Sequence, residues 1–161
     1  MIFDLALALA AALAGAIAAI AGFGIGSLLT PLVALRYGTR LAVAAVSVPH
    51  FIGTAFRLAS LWRQIDRRVL VRFGILSAAG GLAGAWLHSS VRGAALTLVL
   101  AALLIFAGGA TLSGLSRRLR FGRRTAWVAG AVSGLFGGLV GNQGGIRAAA
   151  LLGFDLSLIH I

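Results

Sequence analysis

Long apolar runs dominate the chain, following one another with only short, arginine-bearing gaps between them. A helix that crosses a bilayer needs about 20 apolar residues, and five such segments can be traced in the 161-residue sequence. The first runs from Leu5 to about Leu35, the second from about Leu41 to Leu61, the third from about Val69 to Leu87, the fourth from about Ala94 to Leu115, and the fifth begins near Thr125. With 60% hydrophobic residues, 11% charged residues and a mean hydropathy of +1.05, the chain carries too much apolar surface for an ordinary soluble domain. The fold class expected is all-α, a polytopic transmembrane helical bundle with the lipid bilayer as its solvent.

The charge agrees with this. All fourteen basic residues are arginine, the formal net charge is +11, and most of the arginines lie in the gaps between apolar runs rather than along an amphipathic face. That is loop chemistry, and no nucleic-acid partner is expected. The gap after the second segment holds Arg63, Arg67 and Arg68, and the gap after the fourth holds Arg117, Arg118, Arg120, Arg123 and Arg124. Arginine-rich short loops stay cytoplasmic, so the gaps with Arg36 and Arg40 and with Arg92 face outward. Cysteine is absent, which excludes disulfides, thiolate catalysis and thiol-based metal clusters. No cofactor is expected.

The first segment is too long for a straight crossing at ~1.5 Å per residue through a core of roughly 30 Å. It must tilt or break, and Gly22-Phe23-Gly24-Ile25-Gly26-Ser27 marks the break. If the broken segment crosses, the N-terminus is cytoplasmic; if it folds back as a hairpin, the N-terminus is external. A secretory signal is disfavoured, because Asp4 stands where a basic region would be and the apolar run continues past signal length.

A second glycine cluster, Gly137 to Gly145, closes the fifth segment. Gly22 to Leu32 lies over Gly141 to Leu151 at an offset of 119 residues, and each stretch follows a small-residue helix, with Ala14-Gly15-Ala16 in the first and Ala129-Gly130-Ala131 in the second. Glycine-rich helices align easily, so the match alone leaves duplication open. The G-x-G-x-G-S-x-x-x-P stretch, the basic loop after the second segment and the later G-N-Q-G-G motif together resemble the TauE/SafE (sulfite exporter, DUF81) permeases over about Leu5 to Ser157. The resemblance implies two roughly four-segment units, each opening with such a motif, and export of sulfur-containing or organic anions across the bacterial plasma membrane. It divides this chain into a first repeat at 1–124, the start of a second at 125–157, and a tail at 158–161 that reads as non-native. The chain is accordingly expected to be a fragment of a longer permease.

The candidate substrate site follows from the breaks. The half-helix after the first break presents unpaired N–H groups and a positive dipole end to an anion, which selects Gly22, Gly24, Gly26 and Ser27, with Thr30 one turn on and Pro31 in the first turn, where its missing N–H is tolerated. Gly22 and Gly26 also form a G-x-x-x-G pair, the pattern of close helix packing. The matching half-site is Gly141, Asn142, Gln143, Gly144, Gly145 and Arg147, where two amides and a guanidinium supply donors; an arginine that snorkels to the surface is the plainer reading of Arg147. In the second segment Pro49 frees the Ala45 carbonyl, and His50, Thr54 and Arg57 share one helical face that can line a path, with His50 coupling protons to the anion. Structural roles for the pair are a carbonyl contact for His50 and interfacial anchoring for Arg57. Gly80, Gly81 and Gly84 are expected to pack helices, Asp66 to be a solvated loop charge, and His88 to lie at an interface.

The function expected is thus a secondary transporter of a small anion such as sulfite, a sulfonate or a carboxylate, with a homodimer as the candidate assembly. The alternatives are a non-transporting membrane assembly or scaffold protein, and an intramembrane hydrolase. Hydrolysis is poorly supported: the chain has no glutamate, Asp4, Asp66 and Asp155 lie at segment ends or in a loop, and Ser133 with His50 or His88 is a faint serine pair.

Overall fold

The computed structural model describes residues 2–21, 24–67, 70–113, 123–142 and 144. These form six α-helices and no strand: α1 (Ile2–Ala21), α2 (Ile25–Tyr37), α3 (Thr39–Leu61), α4 (Ile75–Ser90), α5 (Gly93–Leu112) and α6 (Arg123–Val140). A 3₁₀ turn at Trp62–Gln64 follows α3, and a π-helical turn at Leu70–Gly74 leads into α4. The fold is the expected all-α bundle. Two stretches, Thr39–Gln64 and Gly93–Ala110, are long and apolar enough to cross a membrane. Large apolar side chains such as Phe56, Leu82, Trp86 and Ile105 point away from the bundle, an arrangement suited to lipid and unsuited to water.

The first apolar segment breaks where its glycines stand and folds back. Phe3, at the start of α1, meets Tyr37, at the end of α2, edge-on with ring centroids 6.1 Å apart, and the Arg36 guanidinium lies 4.7 Å over the Phe3 ring. The two helices therefore run antiparallel, and both chain ends of the hairpin lie on one side. Gly24 packs against Ile17 rather than against the last turn of α1, so α2 starts part-way back along its partner. At 13 residues, α2 is about 20 Å long, too short to span. Ala14, Leu29, Val33, Ala42 and Val46 form the buried core that joins α1, α2 and α3.

Pro31 differs from expectation. The half-helix begins directly after the break at Ile25, which places Pro31 inside α2, beyond the first turn. There its missing N–H leaves the Ser27 carbonyl without the usual i→i−4 partner.

Three contacts set the remaining directions. Thr39 Oγ1 lies 2.7 Å from Thr97 Oγ1. Thr97 gives its own proton to Gly93 O at 3.0 Å, so Thr39 is the donor in that pair, and the starts of α3 and α5 lie together. Arg40 at the start of α3 donates to Ser89 O at 3.1 Å and Val91 O at 2.7 Å, carbonyls at the end of α4. Finally α4 and α6 touch backbone to backbone: a Cβ on Gly80 would lie 2.3 Å from Ala131 O, on Gly84 2.1 Å from Leu135 O, on Gly134 2.0 Å from Ser77 O and on Gly138 2.1 Å from Gly81 O. Residue numbers rise together along this contact, so α4 and α6 are parallel. Small residues at four-residue spacing allow such an approach, where Cα–H groups meet carbonyls directly. The expected packing role of Gly80 and Gly84 is what the helices show.

Since Gly138 faces Gly81 and Ala85 while α4 continues to Ser90, α6 stops about a turn short of its neighbour. Val140 closes the core there, buried against Leu96 and Leu100 of α5. The chain then turns at Gly141, whose φ of +71° is left-handed and favours glycine.

Candidate functional site

The turn that ends α6 meets the turn that starts α2. A Cβ on Gly26 would lie 2.1 Å from Gly141 O and 3.8 Å from Asn142 Cα, so the two backbones are in direct contact. Gly24, just before α2, has φ +139°, again a conformation that L side chains rarely adopt. The carbonyl end of α6 thus faces the N–H end of α2, and the two helix dipoles complement one another across the contact. Ser27 turns back to donate to Gly24 O at 3.2 Å, and Asn142 is buried.

Beside this contact lies a cleft of about 490 Å³. One wall is α3, with Val43, Val46, Ser47, His50 and Thr54; α2 contributes Thr30, α4 contributes Ala85 and His88, and the α6 end contributes Gly137, Gly138 and Gly141. Among the described residues no charged side chain lines it: its polar groups are hydroxyls and the imidazoles of His50 and His88, set among apolar groups. Ser47 already donates to Ala44 O at 2.7 Å. Thr30 is different. Its side chain is fully buried, and its Oγ1 has no hydrogen-bond partner. That oxygen would lie 3.4 Å from a Cβ on Gly141, beside the break. A buried hydroxyl without a partner costs on the order of 1–3 kcal/mol.

His88 Nδ1 lies 2.7 Å from Leu139 O, near the end of α6. A carbonyl can only accept, so Nδ1 carries the proton, and this bond ties α4 to the turn at Gly141.

Of the residues singled out from sequence, Thr30, His50, Thr54 and Gly141 come together around the cleft. Gly24, Gly26 and Ser27 stand behind it at or next to the contact of the two breaks. Gly144 and Pro31 are half-buried and do not line the cleft. Arg57 shares the helical face of His50 and Thr54 but lies beyond the cleft, where its guanidinium donates to Ala18 O in the last turn of α1. Gly22, Gln143, Gly145 and Arg147 lie outside the described residues. Ser133, the candidate nucleophile of the hydrolase reading, is fully buried and does not line the cleft that holds both imidazoles. Among the described residues no group of three or more metal-ligating side chains comes together. Sequence reasoning puts His88 at an interface and leaves both it and Ser47 out of the substrate site, whereas both line the cleft. Nothing local marks His88, because its role depends on the parallel pairing of α4 with α6; Ser47 lies three residues before His50, an i+3 step that puts both on one helical face.

Neither curated proteins nor solved structures yielded a match to the chain. The profile of the family described as Sulfite exporter TauE/SafE matches residues 7–160, nearly the whole length. A family of membrane transporters fits a helical bundle whose outer faces are apolar and in which the break between α1 and α2 meets the turn that ends α6 beside a polar cleft, and the chain belongs to the sulfite exporter TauE/SafE family.

Proposed function

We propose that the protein is a multi-pass permease of the bacterial plasma membrane that exports a small anion, such as sulfite, a sulfonate or a carboxylate, through the cleft between α2, α3, α4 and α6. One observation carries this reading: the partnerless, fully buried Thr30 hydroxyl beside the break at Gly141. A hydroxyl can donate to an oxyanion, and the cleft beside it is lined by no charged side chain among the described residues.

Chain direction supports a duplicated, inverted architecture. The α1–α2 hairpin returns the chain to its starting side, and α3, α4 and α5 then cross in turn, so an odd number of crossings separates α1 from its counterpart α6. The helices opening the two units at 1–124 and 125–157 therefore run in opposite directions, and their breaks meet within the bundle, the arrangement around which alternating access works. On the arginine rule, the side with Arg63 and Arg67 is cytoplasmic and the side with Arg36, Arg40 and Arg92 is external, which makes the N-terminus external.

The test is flux of labelled sulfite, methanesulfonate and acetate into proteoliposomes holding the full-length protein. Saturable movement of at least one of them supports the proposal. If all three move no faster than in protein-free liposomes, the proposal fails.

A further inference from the structure

We propose that His88 is the proton-binding group of the cleft, its Nε2 taking up a proton as an anion enters; the proposal rests on the reading of the cleft as an anion site. The bond from Nδ1 to Leu139 O, at 2.7 Å, defines the ring chemistry. The carbonyl has no proton to give, so Nδ1 is the donor. A neutral imidazole carries one N–H, which leaves a lone pair at Nε2 on a ring that lines the cleft. Leu139 is among the last four residues of α6, whose carbonyls lack helical partners, so the imidazole also caps that helix. The cap is indifferent to protonation. Both the neutral and the charged ring donate from Nδ1, so a proton can come and go at Nε2 while α4 and α6 stay joined.

The charges around His88 say what accompanies that proton. From α3, His50 lines the same cleft, and Arg40 binds the neighbouring Ser89 and Val91 carbonyls. Between Trp127 and Asn142 the α6 segment has no titratable residue, α4 has none besides His88, α2 has Arg36 and Tyr37 at its far end against Phe3, and Arg92 precedes α5. The acidic side chains among the described residues, Asp4 and Asp66, do not line the cleft. Among the described residues no carboxylate lines the cleft to balance an imidazolium. The entering anion supplies the negative charge, and the proton at Nε2 cancels it. Each favours the binding of the other, by the same factor in both directions. The species held in the apolar cleft is then a neutral anion–imidazolium pair rather than a bare anion.

The experiment uses the full-length protein, labelled with ¹⁵N-histidine, in nanodiscs, with methanesulfonate as probe because it stays ionised across the range in which histidine titrates. Adding it is expected to move the His88 Nε2 signal from a lone-pair nitrogen to an N–H nitrogen. In proteoliposomes loaded with a pH-reporting dye, about one proton is expected to move with each anion. His88→Asn separates the two roles of the ring, since its amide N–H occupies the place of Nδ1 while nothing replaces Nε2. This variant is expected to keep its melting temperature and to lose proton movement by at least ~10-fold per anion, whereas His88→Ala also melts earlier. A His88 Nε2 that stays unprotonated at saturating methanesulfonate overturns the proposal, as does a His88→Asn protein that moves as many protons per anion as the wild type. Protonation on binding with no flux of any anion would support His88 and sink the permease reading. Flux without protonation would do the reverse.

Discussion

Replacing Gly26 by alanine tests whether the contact between the two breaks matters for transport. An ideal Cβ there would lie 2.1 Å from Gly141 O, and the atom it meets is backbone, which cannot rotate away. A carbon–oxygen contact needs about 3.3 Å, so α2 and the end of α6 would have to separate by about 1.2 Å. Forcing a methyl group into a closed contact of this kind costs roughly 1–3 kcal/mol, which lowers the population of the state in which the breaks touch by roughly 5- to 150-fold. Gly26 has an ordinary φ, unlike Gly24 and Gly141, so alanine strains the contact and not the residue itself. The assay is the initial rate of sulfite flux per folded protein in proteoliposomes, with melting temperature measured alongside. Gly108→Ala in α5 is the control, because nothing lies within 4 Å of the new methyl and alanine favours the helix. Gly26→Ala is expected to lose at least ~5-fold in rate while the control does not. If the two variants match in both rate and melting, the contact carries no functional weight and the reasoning is refuted.

Other perturbations separate stability from transport. Thr30→Val keeps the shape of a fully buried side chain and removes an oxygen that has no partner, so the melting temperature should hold or rise while anion flux falls by ~10-fold or more, in line with ~1.5–3 kcal/mol for a hydrogen bond to a charged group. A drop in both would mean that the hydroxyl supports the fold. Gly134→Ala would set a methyl 2.0 Å from Ser77 O and 2.7 Å from Ser77 C, and is expected to destabilise the α4–α6 pair by ~1–3 kcal/mol in an unfolding titration, against no loss for Gly109→Ala, where the space is open. Because the chain has no cysteine, single substitutions report topology cleanly: in intact cells Ser90→Cys should react with an impermeant maleimide and Gln64→Cys should not. The opposite pattern would invert the assigned orientation.

Much of the fold could be read before any coordinates. The helices lie within a few residues of the apolar runs: α3 at Thr39–Leu61 against an expected Leu41–Leu61, and α5 at Gly93–Leu112 against Ala94–Leu115. Both breaks sit at their glycine clusters, because a chain in an apolar environment keeps its N–H groups paired except where glycine permits a turn. Pro31 was misjudged by a short distance, since sequence marks a break but not the residue at which the next helix starts. Whether the first segment crosses or returns could not be read either. That choice rests on Phe3, Arg36 and Tyr37 meeting across the hairpin, a contact between residues more than thirty positions apart.

The candidate site was legible in its residue types and only partly in their placement. Thr30, His50 and Thr54 carry polar groups at helical spacing in apolar runs, and the cleft gathers them. Arg57 has the same spacing, yet it caps α1 at Ala18, because a helical face that lines the cleft at one depth meets a different neighbour two turns further on. Nothing local directs His88 to the cleft rather than to the interface expected for it.

The sequence by itself determined that this is a helical membrane protein, where its helices break, and which loops carry the positive charge, because hydropathy, glycine and arginine act over a few residues at a time. Tertiary structure alone decided that the first segment folds back, that α4 and α6 lie parallel on backbone contacts, that the two breaks touch, and that His88 reaches Leu139. Those are pairings between distant stretches, chosen by which small-residue faces can approach closely enough to exclude everything else, and no local pattern encodes the partner.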